Sequence, residues 1–220
     1  MNVAMLTLVL LLSLSAILLL LFEKSRMDEK VIAVTATLGA VAAIARIPFS
    51  VIPNVQPTTF LVMLTGYVFG LRVGFLTGVI AAVLSNMYLG QGPWTIWQMF
   101  AWGLSGVSGG LLSRFFESKK SRGAGQLLAT RGRRFLFIAV CTIWGFLFDW
   151  IMNFWMFLGL GFLSWQSFVA LNVKSLAFDI AHSVGNFIFA SMFATAFAKI
   201  FVRYHQKLIV TRLFSKEGSG

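Results

Sequence analysis

The sequence predicts an all-α integral membrane protein, and three observations carry that expectation. The 220 residues are 58% hydrophobic, with a mean hydropathy of +0.85, more apolar than a soluble domain requires. The apolar residues gather into long runs, and roughly 20 such residues in succession span a bilayer. The basic residues, which give a formal net charge of +11, fall in alternate connections between those runs, as positive cytoplasmic loops do.

Seven runs follow one another. The first, 3–22, has no basic stretch before it and no small-residue cleavage site ahead of Glu23. It reads as a retained span, not a removed signal. The second is 31–47. The third and fourth, 58–71 and 73–89, are short and meet at Gly70-Leu71-Arg72, so a tight helical hairpin is expected. The fifth and sixth, 94–116 and 135–157, are separated by the one long polar and basic loop, 117–134. The last, 168–201, exceeds one span, and its end is expected to emerge as a basic cytoplasmic extension. There is no soluble domain and no sequence repeat.

All of the 18 basic residues except Arg46 and Lys174 lie in connections on one side. This sets the N-terminus outside, the C-terminus in the cytoplasm, and the protein in the cell membrane as a multi-pass chain. The same placement accounts for the charge by orientation and anionic lipid, so no nucleic-acid partner is implied. The single cysteine, Cys141, permits no internal disulfide and reads as a small buried hydrophobe. No G-x-x-x-x-G-K-[ST] stretch occurs, so the chain has no P-loop of its own. No cofactor or metal site is expected, since His182 beside two aspartates falls short of the three or four ligands a metal site gathers.

Two stretches interrupt the apolar runs on the outer side. One runs from Arg46 through Pro53, Asn54, Gln56 and Pro57 to Thr58; the other is Gly90-Gln91-Gly92-Pro93-Trp94, continuing to Trp97 and Gln98. Backbone broken by proline must find hydrogen-bond partners, and hydrocarbon offers none. Polar, aromatic loops over a helical bundle suit a pocket for a water-soluble molecule. Arg46 reads either as an interfacial anchor that snorkels outward or as a counter-charge at a pocket mouth.

Polar residues also recur inside the spans. Asp149 and Asn153 are four apart and share a helix face. Asn172, Ser175, Asp179, His182 and Asn186 step by three and four, which draws one polar stripe on an apolar helix. Ionisable groups at such depth are functional candidates, or else a structural network in which Asp149, Asp179, His182 and Lys174 satisfy one another. The seven tryptophans read as an interfacial belt or, in part, as a pocket lining. Gly66, Gly70, Gly74 and Gly78, and separately Gly103, Gly106 and Gly110, are small-residue series that permit close helix contact; Ala36 and Ala40 form another.

One enzyme-like pattern stands against this. Gly103-Leu104-Ser105-Gly106 with Ala181-His182 and Gly185 is similar to the motifs of rhomboid intramembrane serine proteases, whose dyad would here be Ser105 and His182. The oxyanion partner expected on an earlier helix is missing. A structural membrane subunit without ligand is the third reading.

Taken together, the chain resembles the substrate-binding S components of energy-coupling factor (ECF) vitamin transporters over roughly 31–201. The residues that carry the likeness are Ala36 and Ala40, the Arg46 to Thr58 run, Gly66-Tyr67-Val68-Phe69-Gly70, Ser85-Asn86, the Gly90 to Gln98 run, and Phe178-Asp179 with His182, Gly185 and Asn186. The resemblance implies a six-helix bundle, here with one extra N-terminal transmembrane helix. The expected division is 1–30 for that helix and a short loop, 31–204 for the binding domain and 205–220 for a basic tail. It also implies a non-enzymatic binding subunit that works with a transmembrane coupling protein, faced by Ala36 and Ala40, and two cytoplasmic ATPase subunits. The outer loops look similar to a branch linked with corrinoids such as cobalamin, with a planar vitamin such as riboflavin as the next choice. The substrate-binding residues expected are Arg46, Asn54, Gln56, Gln91, Trp94, Gln98, Asp149, Asn153, Asp179 and His182.

Overall fold

The computed structural model describes residues 29–116, 130–160 and 164–217, together with scattered helical positions between 5 and 20. Six helices follow the N-terminal segment: α1 (Glu29–Arg46), α2 (Thr58–Phe69), α3 (Leu71–Leu89), α4 (Trp94–Phe116), α5 (Arg131–Leu160) and α6 (Trp165–Glu217). A 3-10 turn, Ile47–Val51, leads out of α1. Among the described residues, four helical segments are long and apolar enough to cross a membrane: Glu29–Val51, Leu71–Leu89, Arg131–Gly159 and Trp165–Leu208. The all-helical expectation therefore holds, and the protein is a multi-pass membrane protein.

Glycine sets the closeness of α2, α3 and α4. Gly70, at φ 95°, ends α2, and α3 begins at once; this left-handed conformation suits glycine. The hairpin brings Gly66 of α2 and Gly74 of α3 against Gly106 of α4. A Cβ on Gly74 would lie 2.5 Å from the Gly66 Cα and 2.6 Å from the Gly106 carbonyl oxygen. Gly78 is as close to the backbone of Trp102 and Gly103, and Gly110 to that of Leu71. The two glycine series, Gly70 apart, are thus internal packing faces, where missing side chains let backbones touch. On the other side of the bundle, Gly145 of α5 lies against Ser183 of α6, with the Ser183 Cα 2.5 Å from where a Cβ would be.

The aliphatic and aromatic core joins α2, α5 and α6 through Phe60, Met63, Leu64, Tyr67, Phe137 and Ala194, all nearly or wholly inaccessible. Two boundaries differ from the sequence reading. Helix α5 begins at Arg131, so Arg131, Arg133 and Arg134 stand in its first turn and not in a loop. The Thr130 hydroxyl accepts the Arg133 backbone N–H at 3.4 Å, and the Arg133 guanidinium packs over the Phe116 ring at 5.4 Å. These contacts offset the poor fit of cations to a helix N-terminus. Residues 117–129 of the expected loop lie outside the described residues. Helix α6 runs unbroken through 53 residues, about 80 Å at 1.5 Å per residue against a hydrocarbon core of about 30 Å, so its C-terminal part projects well beyond the bilayer.

Candidate functional site

The polar groups of the spans meet at the end of the bundle that carries the 47–57 connection. Asn54 adopts φ 61° there, a left-handed conformation that asparagine tolerates. Its Nδ2 donates to Asp149 Oδ2 at 2.9 Å and to the Phe178 carbonyl at 3.2 Å. One loop residue thereby ties down both α5 and α6. Asp149 Oδ2 also lies 3.2 Å from His182 Nδ1. The other ring nitrogen, Nε2, is 2.9 Å from Thr59 Oγ1, which accepts the Trp102 indole N–H at 3.1 Å. Gly145 stands one turn before Asp149, and its close approach to Ser183 holds the Asp149–His182 pair in reach.

Arg46 heads a second network that meets the first at Trp102. Its Nε donates to Gln56 Oε1, and its Nη1 to Ser85 Oγ and Asn86 Oδ1, all at 2.8 Å. Its guanidinium lies 4.9 Å from the Trp102 ring centroid. Ser85 and Asn86 are almost inaccessible, so the cation is turned into the bundle and the snorkelling reading is set aside. Asn86 Nδ2 passes the network on to Thr95 Oγ1 at 2.8 Å and Gln98 Oε1 at 2.7 Å. Thr95 donates to Gln91 Oε1, and Gln91 Nε2 to the Val83 carbonyl. This chain of bonds pins the 90–93 connection to α3 and α4. Neutral oxygens and a ring face, not a carboxylate, hold the charge; hydrogen bonds to a charged group contribute about 1.5–3 kcal/mol each.

Between the 47–57 connection, α5 and α6 is a cavity of about 420 Å³, lined by Asn54, Asp149, Asn153, Lys174, Ser175 and Asp179 with Pro53 and four apolar side chains. Asn153 Nδ2 donates to Asn172 Oδ1 at 3.1 Å and to Ser175 Oγ at 2.7 Å. Asp179 is 1% exposed, and neither of its carboxylate oxygens accepts a well-formed hydrogen bond, although the Ser175 hydroxyl and the Asp179 backbone N–H stand close by. Of the expected substrate-binding residues, Asn54, Asp149, Asn153 and Asp179 are brought together on this cavity, and His182 supports Asp149 from below. Arg46, Gln56 and Gln98 form the framework beside it. Gln91 is exposed, and Trp94 packs its ring 6.2 Å from Trp155; neither lines the cavity. The four-membered mutual network is only partly formed: Asp149 pairs with His182, while Lys174 stands exposed at the rim without an ion pair among the described residues. Ser85, Thr59 and Ser175 were missing from the expected set. A Ser-Asn pair inside an apolar helix was a usable signal for Ser85, whereas nothing distinguishes Thr59 from any other buried threonine.

A larger cavity of about 660 Å³ lies between the N-terminal segment, through Leu10 and Leu14, and Trp97, Trp144 and Phe154 of α4 and α5. Its walls are almost wholly hydrocarbon and indole, with too few polar groups to orient a water-soluble molecule. The protease dyad is not assembled. Ser105 is inaccessible and donates to the Trp102 carbonyl at 2.8 Å, and both His182 nitrogens have other partners.

Residues 30–211 match the family model described as ECF transporter, substrate-specific component. The chain belongs to this family. Substrate-specific components are transporter subunits that bind small molecules and work with a membrane coupling protein and ATPases. The membership covers α1 to α6 and leaves the N-terminal segment outside the match. No curated protein and no solved structure matches the chain. In this substrate-specific component, Ala36 lies exposed on α1 and Ala40 is half-buried, whereas Gly39 and Ala43 between and beyond them are buried. Gly39 packs on Ile80, whose Cγ2 would be 2.5 Å from an added Cβ. The small-residue face of α1 is thus divided between an inner and an outer side.

Proposed function

We propose that the chain captures a vitamin-like micronutrient from outside the cell in the 420 Å³ cavity under Asn54 and delivers it inward. The N-terminus is outside and the C-terminus cytoplasmic. Transport is driven by a transmembrane coupling protein, which docks on the Ala36/Ala40 face of α1, and by two cytoplasmic ATPase subunits. Asn54, Asp149, Asn153 and Asp179 bind the substrate. Arg46, Gln56, Gln98 and His182 hold those residues in place, and Gln91 and Trp94 stiffen the outer rim.

The observation that carries this reading is Asp179: a nearly inaccessible carboxylate with no well-formed hydrogen bond on either oxygen, on the wall of a cavity. Burying a carboxylate without partners costs several kcal/mol, and a bound substrate would offset that cost. The volume lies in the lower part of the range of about 300–1,000 Å³ typical of small-molecule sites. It supports a more compact molecule than the corrinoid expected from the loops.

The test is to purify the chain and identify retained small molecules by mass spectrometry, in parallel with Met152→Trp, which fills the cavity from its apolar side. A discrete compound retained by the parent chain and lost from the variant is the expected result. Retention by both would place the substrate elsewhere.

A further inference from the structure

The hydrogen-bond inventory of the cavity wall is one-sided. The Asn54 amide can point only one way, because Nδ2 faces a carboxylate and a carbonyl, both acceptors. Asn172 Nδ2 donates to the Phe168 carbonyl at 2.9 Å, which turns Asn172 Oδ1 toward Asn153. Asn153 must therefore present Nδ2 to it and to Ser175 Oγ, and the Ser175 proton goes to the Asn172 carbonyl at 3.1 Å. Every amide and hydroxyl donor on the wall is spent inside the protein. The oxygens left over are Asn54 Oδ1, Asn153 Oδ1, Asp149 Oδ1 and both oxygens of Asp179; none receives a well-formed hydrogen bond among the described residues. The one unspent donor is Lys174, exposed at the rim.

The lining is mostly apolar, and its polar part, unsatisfied acceptors with two carboxylates, recognises the opposite chemistry: N–H donors and positive charge. An anion would meet no free donor beside Asp179 and two like charges. A metal ion fits poorly, since no group of three or more His, Cys, Asp or Glu side chains able to hold one occurs among the described residues. We propose that the substrate is a compact organic cation bearing N–H donors, such as a protonated amine, an amidine or a protonated nitrogen heterocycle, held chiefly by Asp179 with Asp149 and the Asn153 carbonyl. This rests on the reading that the cavity is the substrate site. Lys174 at the rim opposes entry of that cation.

Three near-isosteric probes separate the charge classes: benzamidine, a cation with N–H donors; benzamide, neutral; and benzoate, an anion. Binding to the purified full chain is followed by tryptophan fluorescence and thermal shift. Benzamidine should bind at least about tenfold more tightly than benzamide, and benzoate should not bind, as charge-assisted hydrogen bonds to buried carboxylates imply. Asp179→Asn should remove most of that preference. Should it fail to fold, Lys174→Gln, at an exposed position, should strengthen benzamidine binding a few fold. Equal binding of benzamide, preference for benzoate, no saturable benzamidine binding up to millimolar concentration, or no response to either variant would overturn the cationic class. Preferential benzamidine binding that survives Met152→Trp would instead overturn the location of the site and leave the preference to be explained elsewhere.

Discussion

Arg46 shows how much of this membrane protein rests on one side chain. It is the shared donor for Gln56, Ser85 and Asn86, and all three are buried. Removing it strands three acceptors that water does not reach, and each stranded group costs about 1–3 kcal/mol. Arg46→Ala should therefore lower the melting temperature in detergent sharply, with a loss of at least about 3 kcal/mol. Arg46→Lys should recover only part of it, since an ammonium cannot reproduce the fork that serves acceptors on two elements. A variant as stable as the parent would mean that the network contributes nothing net. Much of the candidate site's chemistry was legible here: Arg46, Asn54, Gln56, Asp149, Asn153, Asp179 and His182 each stand out as a polar or charged group in apolar surroundings. Their roles were not legible. Whether such a group binds substrate or braces its neighbours depends on which partners it meets, and those come from other helices.

The helices are arranged by their smallest residues. Gly106 faces the Gly74 backbone so closely that an added methyl would overlap its carbonyl group. Gly132, in the first turn of α5, has nothing within 4 Å. Gly106→Ala should destabilise by about 2 kcal/mol or more, because backbone and not a flexible side chain must move. Gly132→Ala should stabilise by about 0.5–1 kcal/mol through helix propensity alone. Thermal unfolding of both variants checks the pair, and equal effects would refute the close three-helix junction. The outer side of α1 behaves differently, since Ala36 is exposed. Ala36→Trp should leave thermal stability and ligand binding by the isolated chain unchanged while abolishing association with a coupling protein, by holding the two backbones apart. Loss of folding in this variant would assign the face to internal packing instead.

Across the molecule, basic residues crowd the ends of α4, α5 and α6 away from the 47–57 connection, whereas the cavity is lined by Pro53 and Asn54 of that connection; the proposed orientation follows from this asymmetry. A cysteine introduced at Ser121 should resist an impermeant thiol reagent in intact cells, while one at the exposed Ser50 should react; Cys141 is buried and gives little background. The reverse pattern would put the cavity on the cytoplasmic side and remove the import reading.

The sequence by itself determined the membrane, the helices and their order, the polar stripe of α6 and the faces on which small residues lie. Each follows from local composition or from a period of 3.6 along one element, which needs no knowledge of any other. Only the tertiary structure decided which polar groups meet: Arg46 with Asn86, 40 residues away; Asn54 with Asp149, 95 away; Thr59 with His182, 123 away. It also decided that Arg46 turns inward, that Gln91 and Trp94 stay off the cavity wall, and that Asp179 is left without a well-formed hydrogen bond. A repeat along a helix states which residues share a face. What that face meets depends on the rotation and approach of the helices, set by glycine-to-backbone contacts that the repeat does not encode.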